Sequence, residues 1–317
     1  MRQVWRFALV GLLLTLGSPQ ARAEDDLVRS PCGGTLAAKV CLVDPPTRSQ
    51  RGIGDLRRPC LPGSRDYVST FLRIYTFYPK RLREEMCRLK RIFVENSFWA
   101  SGYADPGGPS IAVRREILDR NLTLSQWATW KEQLSFEGSK EAYRSAAGLP
   151  FISAALPLPV SGAAYFIVTH ELAHLMDRDI GASKVAPGSF ASLSWRAKNK
   201  IDTQTLTADW PRPCFYLCRR GKLKPARVPE LYGALSRGAF ASLYATRNPT
   251  EDFADTMTFH ILARHPGFRY RVHYGDGRVW DIGRHLDSAA MQPKRAFIES
   301  VLQRRDPPAP NASHSMN

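Results

Sequence analysis

The chain has 317 residues, 44% of them hydrophobic, and shows no internal repeat and no long low-complexity segment. That length is ample for a packed core and favours one moderately large domain with an appendage over a repeat array. The 45 Lys and Arg against 29 Asp and Glu give a formal charge of +16. Such a balance draws a protein to anionic lipid, wall polymer or nucleic acid, although here the basic residues are dispersed rather than gathered in one tail.

Residues 1–23 read as a secretory signal peptide. Arg2 and Arg6 flank the start, Phe7 to Leu16 is apolar, and Ala21-Arg22-Ala23 is a small-x-small cleavage site. The apolar run is too short for a bilayer span, and no cysteine follows the cleavage point to carry a lipid. The expected mature chain begins near Glu24, is soluble, and is periplasmic or extracellular. Loss of Arg2, Arg6 and Arg22 lowers its charge to +13, and no later apolar run is long enough to cross a membrane.

All six cysteines, Cys32, Cys41, Cys60, Cys87, Cys214 and Cys218, lie beyond the leader. An even count in an exported chain predicts three disulfides. Cys214 and Cys218 are spaced to close a small loop, whereas the other four leave three connectivities open. Residues 24–65 hold three of these cysteines and little long apolar periodicity, and are expected to form a loop-rich, disulfide-stapled extension. Organised structure is expected from about Asp66.

The stretch "DYVSTFLRIYTFYPKRLREEMCRLK" predicts helix with a break at Pro79. Ile92 to Trp99 and Ser110 to Val113 are strand-like, separated by a Pro/Gly-rich loop. "TLSQWATWKEQLSF" has a polar cap and helical spacing of Leu124, Trp127 and Leu134. After a Pro-punctuated connection comes "SGAAYFIVTHELAHLMDRDIG", a helix that Gly181 stops. Further on, "YATRNPTEDFADTMTFHILARH" contains a clear helix start, "VHYGDGRVW" a hairpin turning at Asp276-Gly277, and a last helix runs near Lys294 to Arg305. Residues 306–317 read as a disordered tail.

The chemistry is concentrated in "HELAH". His170, His174 and Asp177 fall on one side of the helix, Glu171 flanks them, and the remaining positions are apolar almost all round. Burying two imidazoles and a carboxylate costs free energy unless something satisfies them. A zinc ion does so: one helical turn lets both imidazoles bind one tetrahedral metal, with the glutamate beside the first placed to take a proton from water.

A catalytic zinc needs a third protein ligand. The metzincin pattern is absent, because Asp177-Arg178-Asp179 stands where its third histidine region would be. In "NPTEDFADT", Asn248 suits an N-cap and Pro249 the first helical position, so Glu251 and Asp255 share one face. Glu251 is a candidate ligand and Asp255 a candidate acceptor for a ligating histidine's other ring nitrogen. The alternative is that Glu251 and Asp252 only complement the positive helix start.

"HELAH" followed by this glutamate-bearing helix resembles the gluzincin zinc metallopeptidases. "YATRNPTEDFAD" is more narrowly similar to the anthrax-lethal-factor-like group and to exported bacterial peptidases with an "NPxEDFAE"-type segment. The matching residues are His170, Glu171, His174, Asp177, Tyr244, Asn248, Glu251, Phe253, Ala254 and Asp255, within about 165–180 and 242–260. Two departures stand out: the interval from His174 to Glu251 is long, and Asp255 stands where a longer acid is common.

The resemblance implies an α+β, zincin-like fold over residues 66–305, with a small mixed sheet, an active-site helix and a mainly helical C-terminal subdomain. It implies one Zn2+ on His170, His174 and Glu251, Glu171 as general base, Tyr244 as oxyanion donor, and Asp255 and Asp177 behind the ligands. The expected partner is a peptide or protein substrate, added as a strand to a sheet edge. A competing expectation is a basic envelope-binding protein that keeps the fold without hydrolysis, attracted to an anionic surface; the intact Glu171 speaks against it. A nucleic-acid module built on "RRGKLKPAR" has no recognised motif behind it.

Overall fold

Alternation along two strands shows how the sheet is covered. The computed structural model describes residues 32–43, 60–96, 100–105, 107–140, 143–202, 204–206, 210–211, 213–216 and 221–304. The first elements are a helical turn, α1 (Gly33–Leu36), and strands β1 (Val40–Leu42) and β2 (Leu61–Pro62). Helices α2 (Arg65–Phe77) and α3 (Lys80–Arg88) follow, broken at Pro79, and then β3 (Arg91–Glu95), β4 (Gly102–Ala104) and β5 (Ser110–Arg114). The five strands form one mixed sheet in the order β2-β1-β3-β5-β4, with β1, β3 and β5 parallel and both edge strands antiparallel. Val40, Ile92, Val94, Ile111 and Val113 join the main core, while Cys41, Phe93 and Ala112 form a small cluster with Val43. Period-two alternation thus sends one set to the helices and the other to the far face.

The expectation that order begins near Asp66 is corrected here. Val40–Leu42 is an interior strand, hydrogen-bonded between β2 and β3. Two disulfides hold it: Cys32–Cys87 reaches from before α1 to α3, and Cys41–Cys60 spans the far-face cluster. Closing loops of 55 and 19 residues is worth about 4 and about 3 kcal/mol by loop-closure entropy. Cys214 is also disulfide-bonded, whereas its expected partner Cys218 lies outside the described residues. The expected signal peptide and tail also lie outside them. Disulfides fit a chain that matures in an oxidising compartment. Among the described residues, no helix is long and apolar enough to cross a membrane.

Next come α4 (Arg115–Asp119) and α5 (Leu124–Gln133), the latter opened by a capping box of Thr123 and Gln126. Strand β6 (Phe151–Ala155) occupies what the sequence presents as a Pro-punctuated connection, and it leads into α6 (Gly162–Ile180). Ser161 caps α6 by accepting from the Ala164 N–H, and Gly181 ends it at φ 66°, the left-handed conformation glycine adopts without strain. Helix α6 is buried on nearly every side, packed on β4 and β5 and against α5.

The remaining elements are β7 (Trp195–Ala197), β8 (Lys200–Ile201), α7 (Val228–Leu235), α8 (Pro249–Ala263), β9 (Arg269–His273), β10 (Val279–Asp281), α9 (Ile282–Leu286) and α10 (Gln292–Gln303). β9 and β10 form the expected hairpin, with Asp276 and Gly277 both at positive φ. The other edge of β9 pairs antiparallel with β6, which ties the C-terminal hairpin to the strand that precedes α6. α8 lies along α6, the most extensive packing of two helices among the described residues. The architecture is mixed α+β, with small sheets and several helices around this pair.

Candidate metal centre

Three side chains from the two packed helices converge. One turn of α6 separates His170 and His174, and their Nε2 atoms lie 3.0 Å apart. Asn248 caps α8 by accepting from the Glu251 N–H at 3.0 Å, which fixes the first turn that carries Glu251. Glu251 Oε2 then stands 3.2 Å from His170 Nε2 and 3.3 Å from His174 Nε2. Ligands held tetrahedrally at 2.0–2.1 Å from a zinc are separated by about 3.3 Å. The donor set, two imidazole nitrogens and a carboxylate oxygen, therefore fits such an ion in both chemistry and spacing, and it is the group of this kind found among the described residues.

Behind the triad, Asp255 Oδ1 is 2.8 Å from His170 Nδ1. The contact is a close pairing of charge, and neither atom has a hydrogen-bond partner among the described residues. Asp255 also accepts a hydrogen bond from Ser242. Glu251 and Asp255, four apart on α8, thus address opposite ring nitrogens of one histidine. Burial alone would lower the His170 pKa, but the carboxylates of Asp255 and Glu251 against its two ring nitrogens outweigh it and push it up to about 9. Burial would raise the Glu251 carboxyl, yet the two histidines hold it well below the usual carboxylate range. These are two faces of one coupled interaction.

Glu171 is buried, and burial pushes its carboxyl up despite the histidines beside it. It accepts no hydrogen bond among the described residues and lines a cleft with His170 and Tyr244. Its carboxylate lies against the edge strand: a methyl on Gly102 would fall 2.8 Å from Glu171 Oε1 and 2.6 Å from Ile167 Cγ2. Only a residue without a side chain permits β4 to run this close.

Tyr244 opens a short 3-10 turn, Tyr244–Arg247, that leads directly into α8, and its ring centroid is 5.9 Å from that of His170. Burial raises its hydroxyl well above 10, and Arg247 donates to that oxygen at 3.2 Å while lying 3.7 Å from Glu251. Asp177, expected behind the ligands, is near enough to His174 to feel its charge but makes no hydrogen bond to it among the described residues. It accepts from the Ser183 N–H at 2.7 Å and closes the turn after α6, while His174 Nδ1 has no hydrogen-bond partner. At the last turn of a helix, the free backbone N–H of the following turn is nearer than a ring one turn back.

His260, further along α8, pairs with Glu299 at 2.8 Å. Elsewhere His285 contacts the Phe240 carbonyl, and Trp195 donates to Asp252. Asp252 is fully buried and receives Lys294 Nζ on both oxygens, at 2.8 and 2.6 Å. It is an anchor for α8 rather than only a dipole complement. In the described part of the basic run Lys222 donates to Ser139, and Arg227 pairs locally with Glu230 three residues on.

Sequence reasoning missed Lys131, Phe166, Tyr216 and Arg247 around the cleft. The only local signal was the placement of Lys131 four residues after Trp127 on one helix face, which is also ordinary surface spacing. No protein-family model, curated protein or solved structure matches this chain.

Proposed function

We propose that this protein is an exported zinc metallopeptidase of gluzincin type, with a zincin-like catalytic fold. The observation that carries the reading is the triangle of His170 Nε2, His174 Nε2 and Glu251 Oε2, whose 3.0, 3.2 and 3.3 Å edges match tetrahedral zinc ligands. Zinc held there would acidify a water and polarise a scissile carbonyl. Glu171, its carboxyl raised by burial, takes the proton of the attacking water and passes it to the departing amine. Asp255 keeps His170 oriented through Nδ1. Tyr244 keeps its proton at any physiological pH and, with Arg247 donating to the same oxygen, has that proton free to donate to the oxyanion.

Substrate binding is supported by the sheet. β4 ends it, so among the described residues no strand pairs with its outer edge, and Gly102 on that strand lies against Glu171. An extended peptide adding there would pass beside the base.

The test combines metal and turnover. Purified mature protein is expected to hold about one zinc per chain. Glu171→Gln should keep the metal and lose cleavage of a peptide library, and Glu251→Ala should lose the metal. Cleavage by Glu171→Gln at the wild-type rate would remove the assignment.

A further inference from the structure

The cleft beside Glu171 contains a cation that the steps above leave unused. Lys131, on α5, is only 8% exposed. Its Nζ sits 3.8 Å from the Tyr244 ring centroid, 5.2 Å from Trp127 and 5.6 Å from Phe166, within an aromatic cage. The nearest carboxylate is Asp255 Oδ1 at 4.0 Å, beyond hydrogen-bond range, and Asp255 is already committed to His170 and Ser242. No hydrogen bond from Lys131 Nζ is formed among the described residues. The same Lys131 lines the cleft together with His170, Glu171, Tyr216 and Tyr244.

Size and charge restrict what enters. The enclosed part of the cleft is about 30 Å³, room for one or two waters or for the oxygens of a carboxylate. A buried ammonium with unfilled donors strongly favours an anion over a neutral isostere. Charge balance agrees. With a zinc bound, its two charges together with those of Lys131 and Arg247 exceed the three of Glu171, Glu251 and Asp255 by one, so the centre would carry a net positive charge.

We infer that this cleft receives a carboxylate of the substrate residue bound beside Glu171, either on its side chain or at its C-terminus, and that Lys131 is the specificity-determining cation. The inference rests on the zinc-peptidase reading and names the substrate class for it.

The test uses the zinc-loaded mature protein and a peptide library whose cleaved bonds are identified by mass spectrometry. Wild type is expected to enrich Asp, Glu or a free C-terminal residue next to the cleaved bond by about tenfold or more. For the best peptide, a Glu→Gln analogue and a C-terminally amidated analogue separate the two sources of the carboxylate. In Lys131→Met the acid-to-amide ratio of kcat/KM should fall to about one, with zinc content and melting temperature as folding controls, and Lys131→Arg should restore the ratio. Calorimetric titration of Glu171→Gln with the same peptides, with and without Lys131→Met, reads binding apart from turnover. Zinc binding and cleavage without acidic enrichment, or a preference that survives Lys131→Met, overturns the inference alone. Absence of both zinc and cleavage in wild type removes the peptidase reading and the inference with it.

Discussion

Replacing Lys294 by Met removes the charge that neutralises Asp252 beneath the first turn of α8. The two side chains are 1% and 0% exposed, and Nζ also donates to the Ala239 carbonyl at 2.5 Å. Burial raises the Asp252 carboxyl and lowers the Lys294 ammonium, so desolvation outweighs attraction on each partner. The pair is therefore not a source of net stability, but half of it is worse than either whole. In Lys294→Met, Asp252 keeps only neutral donors, Trp195 at 2.8 Å and Thr256 at 3.3 Å. An uncompensated buried carboxylate costs about 3–5 kcal/mol. Adding Asp252→Asn to the same chain removes that charge while retaining an acceptor for Trp195. The remaining loss is then about 1–2 kcal/mol, chiefly the unpaired Ala239 carbonyl. Urea unfolding with disulfides intact reads all variants, and a coupling energy of about 2 kcal/mol or more is expected. A single-variant loss below about 1 kcal/mol, or additive losses in the double variant, would refute the reasoning.

Three further outcomes follow from the site. Asp255→Asn should weaken zinc binding about 10–100-fold in competition with a chelator, because His170 loses its carboxylate partner; unchanged affinity would detach Asp255 from the metal. Gly102→Ala should lower kcat/KM about 100-fold with zinc retained, since the methyl displaces Glu171 or β4; activity within about twofold of wild type would show that the strand yields freely. In chelator-treated protein the His170 imidazole should titrate near 9 by NMR, raised from 6.5. The folded state then holds a proton that the unfolded chain releases. The stability this adds is fully present below about 6.5 and is lost as pH rises through about 9. The excess stability of wild type over His170→Gln should shrink across that window, and an excess that grows would reverse the sign.

Much of the local structure was legible. The break at Pro79, the Thr123 cap, the Gly181 stop, the Asn248-Pro249 start and the Asp276-Gly277 hairpin each depend on a few neighbouring residues, and the structure has all of them. The short strands Val40–Leu42, Gly102–Ala104 and Phe151–Ala155 were not legible. Three to five residues carry too little periodicity, and these become strands by pairing with partners distant in the chain.

The same division runs through the centre. Helical spacing alone put His170 and His174 one turn apart and Glu251 and Asp255 on one face, because an i,i+4 relation is a property of the helix itself. Which face meets which histidine nitrogen was decided by the packing of α8 along α6, which brings Glu251 to Nε2 and Asp255 to Nδ1 of His170. Tertiary packing also turned Asp252 into a buried anchor for Lys294, 42 residues away, and gave Asp177 the Ser183 N–H as its hydrogen-bond donor. It chose one cysteine pairing for the first four cysteines and surrounded Lys131 with aromatic rings from three helical segments. Periodicity is written in neighbouring residues, whereas burial and charge pairing depend on segments that meet only when the chain has folded.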